Sequence, residues 1–182
     1  MFFGAVSHLK RAIAERRFVP GSSSHTYGYV GEGDRAVYCV NKRVVGKECE
    51  SKELAYKEYS LGKFLYGNGI YVPKMKRVVG IWTGFDFAPI KEWFLLMERV
   101  HGKHIENLTG EEREEALRQV KSGVEKILDL GIYPEDFDWG MNLIFDGKRV
   151  CFIDFEKWGY GCQEELAHLC KKIRNEGLVI RV

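Results

Sequence analysis

The chain has 182 residues, of which 45% are hydrophobic and 30% are charged, and its formal net charge at pH 7 is +2. Basic and acidic residues are interleaved, which makes a nucleic-acid partner unlikely, and no apolar run approaches the roughly 20 residues of a membrane-spanning helix. The first residues do not resemble a secretory signal and the five cysteines form no CxxC pair, so we expect a cytoplasmic protein with reduced thiols.

Strand-like patterns dominate the first hundred residues. An amphipathic helix over residues 5–17 is followed by a loop rich in glycine and serine. Turn formers then alternate with β-branched and aromatic runs, which predicts strands at residues 26–30, 36–40, 76–82 and 92–97. Between the second and third strands, residues 52–66 predict a helix with Ser51 as its N-cap, ended by Gly67-Asn68-Gly69.

Helices prevail after residue 100. Residues 109–112 have the pattern of a capping box, which opens a helix. One face of that helix is apolar and carries Ala116, Leu117, Val120, Val124, Ile127 and Leu128. A last helix is predicted around residues 163–175. The change near residues 98–104 predicts an α+β protein with two parts, residues 1–98 and residues 99–182.

The segment from residue 131 to residue 156 places polar oxygens at the ends of short apolar runs. A loop containing Asp136, Asp138 and Asn142 precedes two strand-like runs, which are joined by a turn at residues 146–148. The second run ends at Asp154. Carboxylate and amide oxygens are the ligands that Mg²⁺ prefers. The segment therefore predicts a site where Mg²⁺ and a phosphate group could meet.

Glu58 interrupts the apolar face of the helix over residues 52–66. A carboxylate on such a face needs a partner, because burying an unpaired charge costs several kcal/mol. One interpretation is that this face is half-buried and Glu58 reaches solvent. The other is an ion pair with a lysine of the adjacent sheet, for which Lys42 at the end of a predicted strand is the candidate. Alone, Lys42 would be an ordinary solvated strand end.

Two further segments matter for the comparison with known families. Small residues such as Gly21, Ser22 and Ser23 let backbone N–H groups approach phosphate oxygens, although many Gly/Ser loops are only connections. The run from Phe94 to Lys103 joins an apolar strand to a polar linker.

Taken in order, these segments resemble the protein-kinase-like superfamily. The chain is similar to its small atypical members of the Rio, lipopolysaccharide-kinase and aminoglycoside-phosphotransferase type, and to short predicted archaeal serine/threonine kinases. The resemblance covers about residues 18–160. It implies a minimal bilobal fold with residues 1–98 as an N-lobe and residues 99–182 as a reduced helical C-lobe, since no APE-like segment follows Glu156.

By this resemblance the protein is an ATP- and Mg²⁺-dependent kinase that phosphorylates a hydroxyl acceptor. Lys42 would hold the α- and β-phosphates and Glu58 would orient it. Main-chain groups of Glu98 and Val100 would bind adenine. Asn142 and Asp154 would bind the metal, with Glu156 in place of the glycine that usually follows the metal-binding Asp-Phe pair.

The catalytic loop departs from the family's spacing. Kinases have the catalytic aspartate five residues before the asparagine, a position that Phe137 occupies here. Asp136 is the first candidate, with one residue inserted, and Asp138 is the alternative, with one residue missing. This departure and the short C-lobe support a second hypothesis, a pseudokinase that binds nucleotide or a partner protein without turnover.

Overall fold

The computed structural model describes residues 9–11, 37–85, 88–137 and 140–176. The predicted strand at residues 26–30 and most of the predicted helix at residues 5–17 lie outside this part. The chain divides into two compact units. The first unit comprises Met1–Ser60 and Lys74–Arg99. The second unit comprises Leu61–Pro73 and Val100–Val182. No helix among the described residues has the length and apolar character needed to cross a membrane.

The first unit is built on an antiparallel four-stranded sheet. Its strands are β1 (Val37–Asn41), β2 (Val44–Cys49), β3 (Met75–Phe85) and β4 (Ala88–Glu98). Their order in the sheet is β1-β2-β4-β3, so β2 and β4 are the internal strands. The sheet confirms the predicted strands at residues 36–40, 76–82 and 92–97, and it adds β2, which the sequence pattern did not predict.

One face of this sheet forms a hydrophobic core. Its buried members are Leu9, Val40, Val79, Ile81, Phe94 and Leu96. Gly46 of β2 belongs to the same face, and a Cβ atom there would lie 2.7 Å from Cδ1 of Leu9. A larger residue at this position would displace Leu9, so the close approach requires glycine.

Helix α1 (Lys52–Gly67) follows β2. The Ser51 hydroxyl accepts a hydrogen bond from the Leu54 N–H at 3.1 Å, which confirms Ser51 as the N-cap. The buried side of α1 carries Ala55, Glu58 and Leu65. The helix therefore buries a carboxylate among small and apolar residues.

The second unit contains two long helices. Helix α2 (Gly110–Asp129) buries five residues of the predicted apolar face, Ala116, Val120, Val124, Ile127 and Leu128. Thr109 stands at its N-cap but makes no side-chain capping hydrogen bond, so the predicted capping box does not form. Helix α3 (Gln163–Glu176) confirms the predicted last helix.

Short strands connect these helices. They are β5 (Lys103–His104), β6 (Ile132–Tyr133), β7 (Leu143–Phe145), β8 (Val150–Phe152) and β9 (Gly159–Tyr160). They form a three-stranded sheet of order β5-β7-β8 and a pair of β6 with β9. The β7–β8 hairpin confirms the two apolar runs predicted after Asn142. A Cβ atom on Gly123 would lie 2.6 Å from the Phe152 ring, so α2 approaches β8 closely because residue 123 is glycine.

Candidate functional site

A buried ion pair joins the sheet to helix α1 in the first unit. Lys47 Nζ lies 2.8 Å from Glu58 Oε2 and 3.1 Å from Glu58 Oε1, so the ammonium donates to both oxygens. Lys47 is 4% exposed and Glu58 is 1% exposed. Both charges are therefore almost completely removed from water, and the well-formed pair offsets the cost of their desolvation.

Strand alternation explains why Lys47 faces α1. Successive side chains of a strand point to opposite faces of the sheet. Gly46 faces the Leu9 core, so Lys47, the next residue, faces the other side, as do the buried residues Val45 and Cys49. Because β2 is an internal strand between β1 and β4, the position of Lys47 is fixed on both sides by sheet pairing.

The predicted pair of Glu58 with Lys42 is wrong, although the predicted type of partner is confirmed. Lys42 lies in the exposed turn between β1 and β2, beyond the end of the strand. Glu58 pairs instead with Lys47 on the following strand. The alternative in which Glu58 reaches solvent is also excluded, because Glu58 is fully buried.

The predicted adenine-binding passage lies at the end of β4. Glu98 is its last residue, and the Glu98 N–H donates to the Lys74 carbonyl at 3.0 Å. The main chain of Glu98 can therefore offer a base its carbonyl oxygen but not its N–H. Val100 is half-buried. Gly21, Ser22 and Ser23 of the predicted phosphate loop lie outside the described residues, and so does Asp138.

In the second unit, the β7–β8 hairpin brings Asn142 close to the chain that leads into Asp154. The Ile153 N–H donates to the Asn142 carbonyl at 2.9 Å, which extends the hairpin by one bond. Asn142 Nδ2 donates to the Asp136 carbonyl at 3.2 Å. Its amide nitrogen is thus engaged by the predicted catalytic loop, and the amide oxygen is the atom that suits a cation.

Asp154 has an unusual backbone conformation. Its φ is +64°, in the left-handed region that most residues other than glycine avoid. Such a conformation costs of the order of 1 kcal/mol or more and is concentrated at functional sites. Oxygens of Asp154 and Glu156 lie within 4.8 Å of each other. These two half-buried carboxylates suit a hard divalent cation, and Glu156 extends the predicted ligand set.

Asp136 is held by a neighbouring tryptophan. Trp158 Nε1 donates to Asp136 Oδ1 at 2.8 Å. Burial raises the pKa of Asp136 and the charge of Asp154 raises it further, whereas the bond from Trp158 and the charge of Lys157 act in the opposite direction. The carboxyl therefore binds its proton more tightly than an ordinary aspartate, a property that suits a residue that exchanges protons.

Lys47 and Trp158 were not identified from the sequence as residues of the site. Lys47 had a usable signal, since Val44-Val45-Gly46-Lys47 is a short apolar run that ends in a lysine 11 residues before Glu58. Trp158 had none, because a tryptophan in a polar segment does not reveal which acceptor its indole N–H contacts.

No protein-family model matches the chain, and no curated protein matches it in sequence. Among solved structures, it is similar to the bifunctional kinase-methyltransferase WbdD, with a TM-score of 0.50 and 13% identity over 70% of this chain and 30% of that one. A co-crystal structure of WbdD and the kinase inhibitor LY294002 gives a TM-score of 0.49 and 14% identity, over 78% of this chain and 35% of that one.

The chain thus spans about a third of the length of these two structures. At such low identity the similarity establishes a fold and no activity. The fold is a mixed α+β fold of the protein-kinase-like type, as predicted.

Proposed function

We propose that this protein is an ATP- and Mg²⁺-dependent phosphotransferase that moves the γ-phosphoryl group to a hydroxyl acceptor. The buried Lys47–Glu58 pair is the observation that carries the proposal. In protein kinases a lysine at the end of a V-A-I-K run pairs with a helix glutamate and contacts the α- and β-phosphates of ATP. Val44-Val45-Gly46-Lys47 resembles that run, so Lys47 takes the role first predicted for Lys42.

The energetics of the pair support a functional role. A buried ion pair is often no more stabilising than apolar residues of similar volume, because the desolvation of two charges offsets their attraction. Stability alone is therefore a weak reason to have Lys47 and Glu58 there. A lysine held in one rotamer by a buried carboxylate is instead well suited to receive a phosphate oxygen.

Asp154 and Asn142 are the proposed Mg²⁺ ligands, with Glu156 as an additional one. The ligand atoms are all oxygens, and Mg²⁺ is usually bound by one or two carboxylates together with substrate phosphates. When bound, the ion would neutralise charge on the transferred phosphoryl group. The Asn142 amide bonded to the Asp136 carbonyl ties this ligand to the proposed catalytic loop.

Asp136 is the proposed catalytic residue, which would accept the proton of the acceptor hydroxyl. Its raised pKa is consistent with this role. The acceptor is a hydroxyl group, and the resemblance to predicted serine/threonine kinases favours a serine or threonine. Glu98 and Val100 as adenine contacts, Gly21, Ser22 and Ser23 as phosphate contacts, and a cytoplasmic location complete the proposal.

A pseudokinase is the second candidate. It is favoured by the spacing of Asp136, which stands six residues before Asn142 where kinases have five. A displacement of 1 Å can cost about 10²-fold in rate. A protein of this kind would bind ATP or a partner protein and show no turnover.

Substitutions of Lys47 and Asp154 test the phosphotransferase proposal against the pseudokinase alternative. Lys47→Ala should reduce ATP turnover by at least about 10²-fold, the loss typical of removing one electrostatic contact to the reacting group, and Asp154→Ala should do the same by weakening Mg²⁺ binding. Lys42→Ala is the matched control, since Lys42 lies in an exposed turn one strand away, and it should retain turnover. Circular dichroism verifies that each variant is folded.

Three results would decide the matter. Turnover that survives Lys47→Ala in a folded protein overturns the proposal. ATP and Mg²⁺ that raise the melting temperature without any turnover by the wild-type protein favour the pseudokinase. A wild-type protein whose melting temperature does not respond to ATP and Mg²⁺ excludes both nucleotide-binding candidates.

A further inference from the structure

The hydrogen bond from Trp158 to Asp136 joins a buried donor to a half-buried acceptor. Trp158 is 1% exposed, and its indole nitrogen lies 2.8 Å from Asp136 Oδ1. The indole N–H can donate but cannot accept. A buried indole N–H without an acceptor is costly, so the tryptophan and the carboxylate each restrict the position of the other.

Aromatic packing fixes the tryptophan itself. The Trp158 ring lies edge-to-face against Phe155, at a centroid distance of 5.1 Å, and against Phe152, at 6.1 Å. The Trp158 backbone N–H also donates to the Phe155 carbonyl at 3.1 Å, which closes a tight turn. The indole N–H therefore points in a direction determined by packing, and rotation of the ring would require Phe152 and Phe155 to move.

The proposed metal ligand Asp154 directly precedes this turn. Phe155, which anchors Trp158, is therefore the chain neighbour of a residue whose φ is +64°. On the other side, the Asp136 main chain accepts a bond from the Asn142 amide. Asp136 is thus held at its backbone by one proposed metal ligand and at its side chain by a tryptophan whose turn begins next to the other.

We propose that Trp158 is a positioning residue, which fixes the Asp136 carboxylate in the orientation needed to receive the acceptor proton. This inference rests on the proposed function. It also gives the Asp136 carboxylate a restraint of its own in a loop whose spacing to Asn142 is one residue longer than in kinases. A carboxylate has about four lone-pair sites, so the bond to Trp158 leaves room for a hydroxyl group.

Trp158→Phe removes the donor and keeps an aromatic ring. Catalytic groups must be held to within about 0.5 Å, and a displacement of 1 Å costs about 10²-fold. We therefore expect kcat to fall by about 10- to 10²-fold, while the KM for ATP changes by less than about threefold because the Lys47–Glu58 pair is untouched. Replacing Trp158 with benzothienylalanine, in which sulfur takes the place of the N–H group, keeps the bicyclic shape and should give the same loss.

Phe145→Leu is the control for packing. Phe145 is a buried aromatic residue of β7, the strand that pairs with β8, so its truncation should lower the melting temperature and leave the indole donor intact and kcat close to the wild-type value. A loss of kcat in Phe145→Leu as large as that in Trp158→Phe would show that lost packing alone lowers activity, and it would overturn the positioning role.

A second readout needs no activity. In protein labelled with ¹⁵N-tryptophan, the Trp158 indole signal should disappear in Trp158→Phe, which assigns it, and should shift and exchange faster with solvent in Asp136→Asn, because a neutral amide is a weaker acceptor than a carboxylate. An indole signal that Asp136→Asn leaves unchanged excludes the hydrogen bond and overturns the positioning role, even in an active enzyme.

The two proposals fail in different ways. Wild-type protein without turnover overturns the proposed function, and the positioning role with it, whatever the indole signal shows. Active wild-type protein whose folded Trp158→Phe and benzothienylalanine variants retain kcat overturns the positioning role alone and leaves the phosphotransferase intact.

Discussion

The two units treat buried charge in opposite ways. In the first unit, Lys47 and Glu58 are almost completely buried and neutralise each other at 2.8 Å. In the second unit, Asp136 and Asp154 are half-buried carboxyl groups, and burial together with the charge of Asp154 raises the pKa of Asp136. The first arrangement pairs opposite charges, whereas the second favours an added proton or cation.

Because of this difference, substitutions in the two units should affect folding stability in opposite directions. Replacing Lys47 or Glu58 removes the partner to which the other buried charge is bonded, so these substitutions should act strongly on folding. Relieving repulsion between like charges should act in the other direction, so a neutral side chain at Asp136 should stabilise the protein while it removes the chemistry. Gains of stability on loss of a functional group are a recognised sign of an active site.

The largest effect is expected for Glu58→Gln. It keeps the shape of the side chain but takes from the buried Lys47 ammonium the charge of the carboxylate to which it is bonded, which should lower the free energy of unfolding by about 3–5 kcal/mol. Urea denaturation followed by circular dichroism measures this value. The double variant Lys47→Met, Glu58→Leu should recover most of the loss, since apolar residues of similar volume often replace a buried pair without cost.

Glu53→Gln is a suitable control for that experiment. Glu53 lies on the same helix but is exposed, so its substitution should change stability by less than about 0.5 kcal/mol. If Glu58→Gln were as mild as this control, the pair would not be sealed from solvent, and the contrast between the two units would disappear.

Asp136→Asn should increase the stability of the folded protein, by less than Glu58→Gln decreases it. Burial raises the pKa of Asp136 in the folded protein, and the charge of Asp154 raises it further. The folded state therefore holds this proton more tightly than the unfolded chain does. The stability that the protonated group contributes is present below its unfolded pKa and is lost as pH rises through the higher folded pKa.

The asparagine of Asp136→Asn does not ionise, so the variant does not lose this stability. Its stability relative to wild type should therefore increase as pH rises through the range in which carboxyl groups ionise, and the difference should persist at neutral pH. Melting temperatures measured from pH 3 to pH 8 in EDTA, which removes any bound divalent cation, check the prediction. A difference between variant and wild type that does not change with pH would contradict it.

The fold was more accessible from sequence than the site was. Periodicity gave α1, β3, β4, the β7–β8 hairpin and both later helices, because their apolar faces pack into continuous cores. β2 was missed, since Gly46, Lys47 and Glu48 interrupt its apolar pattern. Gly46 is there because the sheet approaches Leu9 closely, and Lys47 is there as the partner of Glu58.

The error at Lys42 follows from that missed strand. Glu58 on an apolar helix face correctly predicted a lysine partner, but without β2 the nearest strand end was Lys42. The bond from Trp158 to Asp136 spans 22 residues and a turn whose geometry depends on Phe155. Such a contact is set by tertiary packing, and local sequence pattern does not encode which side chains meet.

The smallest effect on stability is expected for Tyr71→Phe, because the bond between Tyr71 and Asp146 is only part-buried. The Tyr71 hydroxyl donates to Asp146 Oδ2 at 2.9 Å, and Asp146 Oδ1 accepts from the Lys148 and Arg149 N–H groups. Tyr71→Phe removes one bond to a carboxylate that keeps two others, so it should cost only about 1 kcal/mol in urea denaturation.

The same tyrosine adds a dependence on alkaline pH. Burial and the bond to Asp146 raise the pKa of Tyr71 to about 12, so its contribution to stability is complete below an ordinary tyrosine pKa of about 10 and declines as pH rises toward 12. Tyr71→Phe should lack this decline, whereas Tyr56→Phe, at a tyrosine that is 47% exposed, should retain it. A loss near that of Glu58→Gln would mean that burial does not set the cost of removing a charged contact in this protein, because Tyr71 and Asp146 are only part-buried.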